Sequence, residues 1–203
     1  SIESFFQKLY DKNFYKRENV DWLYYKKTKS RQKSLENIIE NQDFNIFNQI
    51  YINDFVVNNI KFPSLKKSYN LLLKELKNIN KLTPIYIGHG DLCFNNILVD
   101  PLFGSISLID PKAEKHHKIN QYGLIDKYYD LSKLNHSIEG LYDSLVNNLF
   151  NLRFIDINNI NFEIYRPLEY EIYNRYFSEI MIENRIDYEH LRLLTANLFL
   201  SMI

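Results

Sequence analysis

Apolar side chains recur at helical spacing over much of this chain. Leu65, Tyr69, Leu72, Leu73, Leu76 and Ile79 lay one stripe along a helix expected from Leu65 to Lys81. Ser64, following Pro63, is its expected cap. Ile2, Phe5, Phe6 and Leu9 predict an earlier helix, with Trp22, Leu23, Tyr24 and Tyr25 as a buried aromatic cluster near its end. The first eighty residues thus read mainly as helix. Beyond the middle of the chain, Tyr128 to Phe150 reads as one helix. Pro167 to Glu183 reads as another, through Leu168, Ile172, Tyr176 and Ile180. Asp187 is the expected cap of a last helix carrying Leu191, Leu194, Leu198 and Met202.

The periodicity changes between residues 84 and 110. Pro84-Ile85-Tyr86-Ile87 is a short β-prone run, and Gly88 and Gly90 flank His89 where the chain must turn tightly. Asn96 to Asp100 and Ser105 to Asp110 are two further β-prone runs, separated by Pro101-Leu102-Phe103-Gly104. That arrangement predicts a hairpin with Asn96 at the start of one strand and Asp110 at the end of its neighbour. The fold class expected is mainly α with a small β-hairpin, within α+β. From Pro111 to Lys127 there is little periodicity. His116 and His117 are adjacent there, and consecutive side chains on an extended segment face opposite ways, which argues against a shared metal ion.

The hairpin gains interest from three polar residues. Transfer of a γ-phosphoryl group asks the protein to position a hydroxyl and to hold the magnesium that bridges the phosphates. Asp91 can do the first. Asn96 and Asp110 can do the second, because magnesium is a hard ion that prefers oxygen ligands. The bland alternative is that Asp91 caps a turn and Asp110 ends a strand, both common structural duties for Asp.

The run His89-Gly90-Asp91-Leu92-Cys93-Phe94-Asn95-Asn96, with Ile109-Asp110 beyond it, resembles the aminoglycoside phosphotransferase and choline kinase family. That family has the protein-kinase-like fold, a catalytic loop H-G-D-x-x-x-x-N and a metal-binding segment beginning I-D. The resemblance implies that Asp91 is the catalytic base and that Asn96 and Asp110 bind magnesium and, through it, ATP. It implies packing of the loop by His89. Tyr128-Tyr129-Asp130-Leu131 is similar to the family's helix-opening segment, whose Asp ties down the catalytic loop, so Asp130 is expected to be structural. As an acceptor at a helix start, it would also satisfy unpaired backbone N–H groups.

The specific pattern covers Ile87 to about Leu134. There are departures: Cys93-Phe94 stands where the family often has His-Pro, and Pro111-Lys112-Ala113 where it has Phe-Gly or Trp-Gly. I-D-P followed by a basic residue points to a subgroup acting on sugars or surface-polysaccharide precursors. Lys112 is then a phosphate or substrate contact, or else a solvated loop lysine. On this reading residues 1–203 form one kinase-like C-terminal lobe. Residues 1–83 are a helical substrate-side segment, 84–110 the catalytic loop and metal-binding hairpin, 111–127 an activation-type loop, and 128–203 a second helical segment.

Composition narrows the classes. The chain has 25 basic and 25 acidic residues and a formal charge of zero, so nothing points to nucleic acid. No apolar run approaches a bilayer span. The single cysteine, Cys93, excludes an internal disulfide and makes cytoplasm the expected compartment. Cys93 reads as a packing residue. The basic run Lys26 to Lys33 could attract phosphate or an anionic substrate, or could be a solvated helix face. No glycine precedes Gly88, so the Gly-rich loop and strand lysine of a nucleotide lobe are not found. A missing N-terminal lobe or fused domain is therefore expected.

The leading expectation is an ATP- and magnesium-dependent kinase acting on a hydroxyl of a small metabolite, such as a sugar or amino alcohol. A catalytically silent binding or regulatory module is the alternative. Paired glycosidase carboxylates come third, because they give Asn96 no role.

Overall fold

The computed structural model describes residues 14–41, 45–79, 82–112 and 123–203. It is a mixed α+β fold in which helices predominate, as the apolar spacing leads one to expect. The expected helix around Ile2 to Leu9, the histidines at 116 and 117, and most of the activation-type loop lie outside the described residues.

Three of the expected helices form close to where the spacing puts them, two of them with the expected cap. In α3 (Leu65–Asn78), Ser64 Oγ accepts from Lys67 N at 3.3 Å and Tyr69, Leu72 and Leu76 are buried. This helix stops short of Lys81, with Ile79 already extended. The last helix, α7 (Tyr188–Leu200), is capped by Asp187, whose Oδ1 accepts from His190 N at 3.0 Å.

Elsewhere strands appear between the helices, although the first part of the chain remains mainly helical among the described residues. Residues 14–79 include three strands as well as helices: β1 (Phe14–Asn19), β2 (Phe55–Val57) and β3 (Ile60–Phe62). Between β1 and β2 lie a π-helical turn (Trp22–Lys26), α1 (Lys27–Asn41) and α2 (Asn45–Ile52). β2 and β3 are joined by Asn58-Asn59, both with positive φ (50° and 66°). Asn tolerates that conformation, and it matches the twist of a tight hairpin.

The long helix expected from Tyr128 to Phe150 breaks into α4 (Lys127–Ile138) and α5 (Tyr142–Val146). Gly140 and a left-handed Leu141 (φ 53°) interrupt it. The chain then enters β8 (Phe150–Asp156) and β9 (Asn159–Ile164), a hairpin in which Phe150, Leu152 and Phe154 alternate with polar residues up to Arg153. The helix α6 (Tyr170–Glu183) follows.

Three small sheets result. β4 (Leu82–Ile87) lies between β1 and β7 (Leu124–Asp126), antiparallel to both, with Arg17 opposite Pro84 and Ile85 opposite Asp126. A second sheet has the order β3-β2-β9-β8, in which β2 and β9 are parallel. The third is the expected hairpin of β5 (Ile97–Val99) and β6 (Ile106–Leu108).

The core forms around α4, which buries nine of its twelve residues. Leu131, Leu134 and Ile138 pack with Leu92, Phe177, Met181 and Leu191. On the other side Tyr129 joins Leu23, Tyr24, Leu72, Ile85, Ile125 and Leu194. A helix buried on nearly every face must have its polar groups partnered, and those partners shape the site.

Candidate active site

The site begins where β4 ends. Gly88 N donates to Gly123 O at 3.0 Å, which carries the β4–β7 pairing one step further. A Cβ on Gly88 would lie 2.3 Å from Ile125 Cγ2 and 2.7 Å from Asp130 Oδ2, so only glycine lets the loop approach α4 this closely. Asp130, in the first turn of α4, takes His89 N on Oδ2 and Gly90 N on Oδ1, each at 2.7 Å. Gly90 has φ 79°, which turns the chain back over this carboxylate.

Asp130 therefore serves the loop's backbone. The helix start is capped instead by Asp126, whose Oδ1 accepts from Tyr128 N at 3.2 Å. Burial raises the pKa of Asp126 to about 6, partly offset by the Tyr24 hydroxyl donating to it at 2.9 Å.

His89 is buried and braces the turn from inside. Its Nδ1 accepts from Asp91 N at 3.3 Å, so Nε2 carries the proton and donates to Ile109 O at 2.8 Å. One ring thus links the loop to the end of β6. Lys112 N closes the circuit by donating to His89 O at 2.7 Å.

A 3₁₀ turn, Phe94–Asn96, leads from Asp91 into the hairpin. Asp91 O accepts from Cys93 N at 2.9 Å and from Asn96 Nδ2 at 2.8 Å. The Asn96 side chain is therefore anchored through its NH₂ group, which points its amide oxygen elsewhere. Across the hairpin, Ile109 N donates to Asn96 O at 3.0 Å, extending the pairing of Ile97 with Leu108. Asp110 follows at φ 53°, a left-handed conformation that ends the strand and turns its carboxylate outward. Asp91, Asn96 and Asp110 lie along one rim.

Charge is concentrated there. Lys112 Nζ stands 2.5 Å from Asp91 Oδ2 and 3.2 Å from Asp110 Oδ2, so one ammonium bridges the two carboxylates. Lys133, from the second turn of α4, places Nζ 3.0 Å from Asp91 Oδ1. Burial pushes the Asp91 pKa up, but Lys112 and Lys133 outweigh it and hold the carboxyl below its ordinary value. The hydrogen bond to Asp91 in turn raises the pKa of Lys112. The Asp91 side chain is 13% exposed against 56% for Asp110, so the first is enclosed and the second open to a solvent-borne ligand.

Cys93 is buried, and burial with the charge of Asp91 raises its thiol pKa, which keeps it a packing residue. Among the described residues no three His, Cys, Asp or Glu side chains cluster as a metal site. The donors along the rim, an open carboxylate and an amide oxygen, are nonetheless hard oxygens. They suit magnesium, which keeps several waters and takes phosphate oxygens for the rest. The cation now bridging Asp91 and Asp110 indicates that positive charge is favoured at this point.

A cleft of about 510 Å³ lined by Arg17, Tyr86, Asp126 and His190 contains none of the three rim residues. Among the described residues no helix is long and apolar enough to cross a membrane. The chain matches no family model, and no curated protein or solved structure matches it.

Sequence reasoning missed Lys133 and Ser137, both on α4. Ser137 Oγ accepts from Phe94 N at 3.2 Å. Nothing in local spacing marks either residue, because each meets the loop only through the tertiary packing of α4.

Proposed function

We propose that this chain carries the catalytic centre of a phosphotransferase that moves the γ-phosphoryl group of a nucleoside triphosphate to a hydroxyl of a small molecule. The observation carrying this reading is that one ammonium bridges an enclosed Asp91 and an open Asp110, while the Asn96 side chain is anchored to the Asp91 backbone beside them. The resemblance of His89 to Asn96 and of Ile109-Asp110 to the aminoglycoside phosphotransferase and choline kinase family supports it. That resemblance extends the proposal to a kinase-like C-terminal lobe.

Asp91 accepts a hydrogen bond from the incoming hydroxyl and orients its oxygen toward phosphorus. Its low pKa keeps it ionised for this task. A weak base suffices, because phosphoryl transfer is largely a matter of positioning and charge stabilisation and little covalent chemistry falls to the protein. Asn96 and Asp110 would hold magnesium, which when bound neutralises charge on the transferring phosphates. His89 and Asp130 keep Asp91 in place by fixing the backbone on either side of Gly90.

The test is magnesium-dependent consumption of ATP or GTP by the protein as its gene encodes it, against a panel of sugars and amino alcohols. Asp110→Ala is expected to abolish turnover, by at least a hundredfold. Near-normal activity in that variant would sink the assignment.

A silent binding module is the second reading. Lys112 favours it, because its ammonium already satisfies both carboxylates. Stimulated nucleotide turnover decides against that module.

A further inference from the structure

Lys133 and Lys27 reach the surroundings of Asp91 from two different helices. Lys27 is the first residue of α1 and donates Nζ to Tyr129 Oη at 3.2 Å. Its ammonium also lies 5.4 Å from the centre of the Tyr129 ring. Tyr129 and Lys133 are four residues apart on α4 and so share a face of that helix. The start of α1 is pinned in turn: Thr28 Oγ1 donates to Asn197 Oδ1 at 2.5 Å and Arg31 donates to Ser201 O on the same side. Lys27 is thus held by its neighbours and does not trail into solvent.

Among the described residues the charges around it do not balance. Lys112 and Lys133 each take one oxygen of Asp91. Among the described residues no carboxylate lies within ion-pair distance of Lys27. Lys133 and Arg31 are near enough for their charges to oppose that of Lys27, while Asp91 partly supports it. Burial is the larger cost, and together these lower the ammonium's pKa to about 8. A half-buried cation lacking a counter-charge is unfavourable unless something anionic joins it.

We propose that Lys27 and Lys133 form a subsite for a phosphate-type oxyanion beside Asp91. The oxyanion has the same chemistry whether the hydroxyl acceptor carries it or the nucleotide does. In the first case the acceptor narrows to hydroxyl compounds that are already phosphorylated or similarly anionic. Assigning the anion to an acceptor rests on the phosphotransferase reading; the cation pair does not. Tyr129 sets the Lys27 ammonium, and Lys133 is shared between the oxyanion and Asp91, which Lys112 continues to hold.

The test is calorimetric titration of the protein with inorganic phosphate and, separately, with magnesium ADP, using wild type, Lys27→Gln and Lys27→Arg. Wild type is expected to bind phosphate, Lys27→Gln to lose at least tenfold in affinity, and Lys27→Arg to keep most of it with an unchanged melting temperature. An unaltered magnesium ADP affinity in Lys27→Gln assigns the oxyanion to the acceptor, and a parallel loss assigns it to the nucleotide. Either outcome supports the subsite. Absence of phosphate binding by wild type, or equal phosphate affinity in wild type and Lys27→Gln, overturns it. Should the phosphotransferase reading fail because no acceptor is turned over, the phosphate titration still reads the subsite by itself.

Discussion

Asp130 shows how one buried carboxylate can organise a loop it does not belong to. Both of its oxygens accept backbone N–H groups of the segment that carries Asp91, and the residue is fully buried. Asparagine in its place keeps the shape and loses one acceptor. A buried donor left unsatisfied costs about 1–3 kcal/mol. Asp130→Asn is therefore expected to lower unfolding free energy by about that amount in urea melts and to reduce turnover with it. A variant as stable as wild type would contradict the role. Asp91, Asn96 and Asp110 could be read from the sequence because their relation is local, set by a tight turn and a short hairpin. Lys27 and Lys133 could not be placed, since their convergence depends on how α1 and α4 pack.

At the scale of elements, α4 is the hub, and His136 exposes the cost of burying it. The ring is fully buried between Tyr142 and Phe199, with centroids 4.2 and 4.0 Å away. Neither nitrogen has a hydrogen-bond partner among the described residues. Burial, aided by Lys133, lowers its pKa from 6.5 to about 3. The unfolded chain therefore takes up this proton more readily than the folded one. The stability His136 contributes is present above pH 6.5 and lost as pH falls toward 3, at up to about 1.4 kcal/mol per pH unit. His136→Phe fills the same slot without a titrating ring. It should be no less stable than wild type at pH 7, and its melting temperature should fall less steeply between pH 6.5 and 4. Parallel pH profiles for the two proteins would refute this.

Helices with a cap and a stripe, such as α3 and α7, were legible. The strands were less so. β1 and β7 are strands because β4 pairs with them, and β2 is joined in parallel to β9 across a long stretch of chain. Such pairings leave little trace in a local pattern. The β8–β9 hairpin did leave one, in the alternation of Phe150, Leu152 and Phe154, but residues 128–203 were read as a helical segment and the hairpin went unnoticed.

Over the whole molecule, equal numbers of acidic and basic residues conceal an uneven distribution. Lys27, Lys112 and Lys133 gather around Asp91, with Lys112 also reaching Asp110, while Asp130 and Asp126 are buried in structural duties. The fold spends its central helix on holding one loop, and that loop presents the rim where transfer is proposed. The most direct measurement follows a labelled γ-phosphate from ATP to acceptors in the presence of magnesium, comparing wild type with Asp91→Asn across phosphorylated and unphosphorylated hydroxyl compounds. The account predicts label on at least one acceptor, dependence on magnesium, and loss of transfer in Asp91→Asn. Equal transfer by both proteins, or no transfer by wild type to any acceptor, would contradict it.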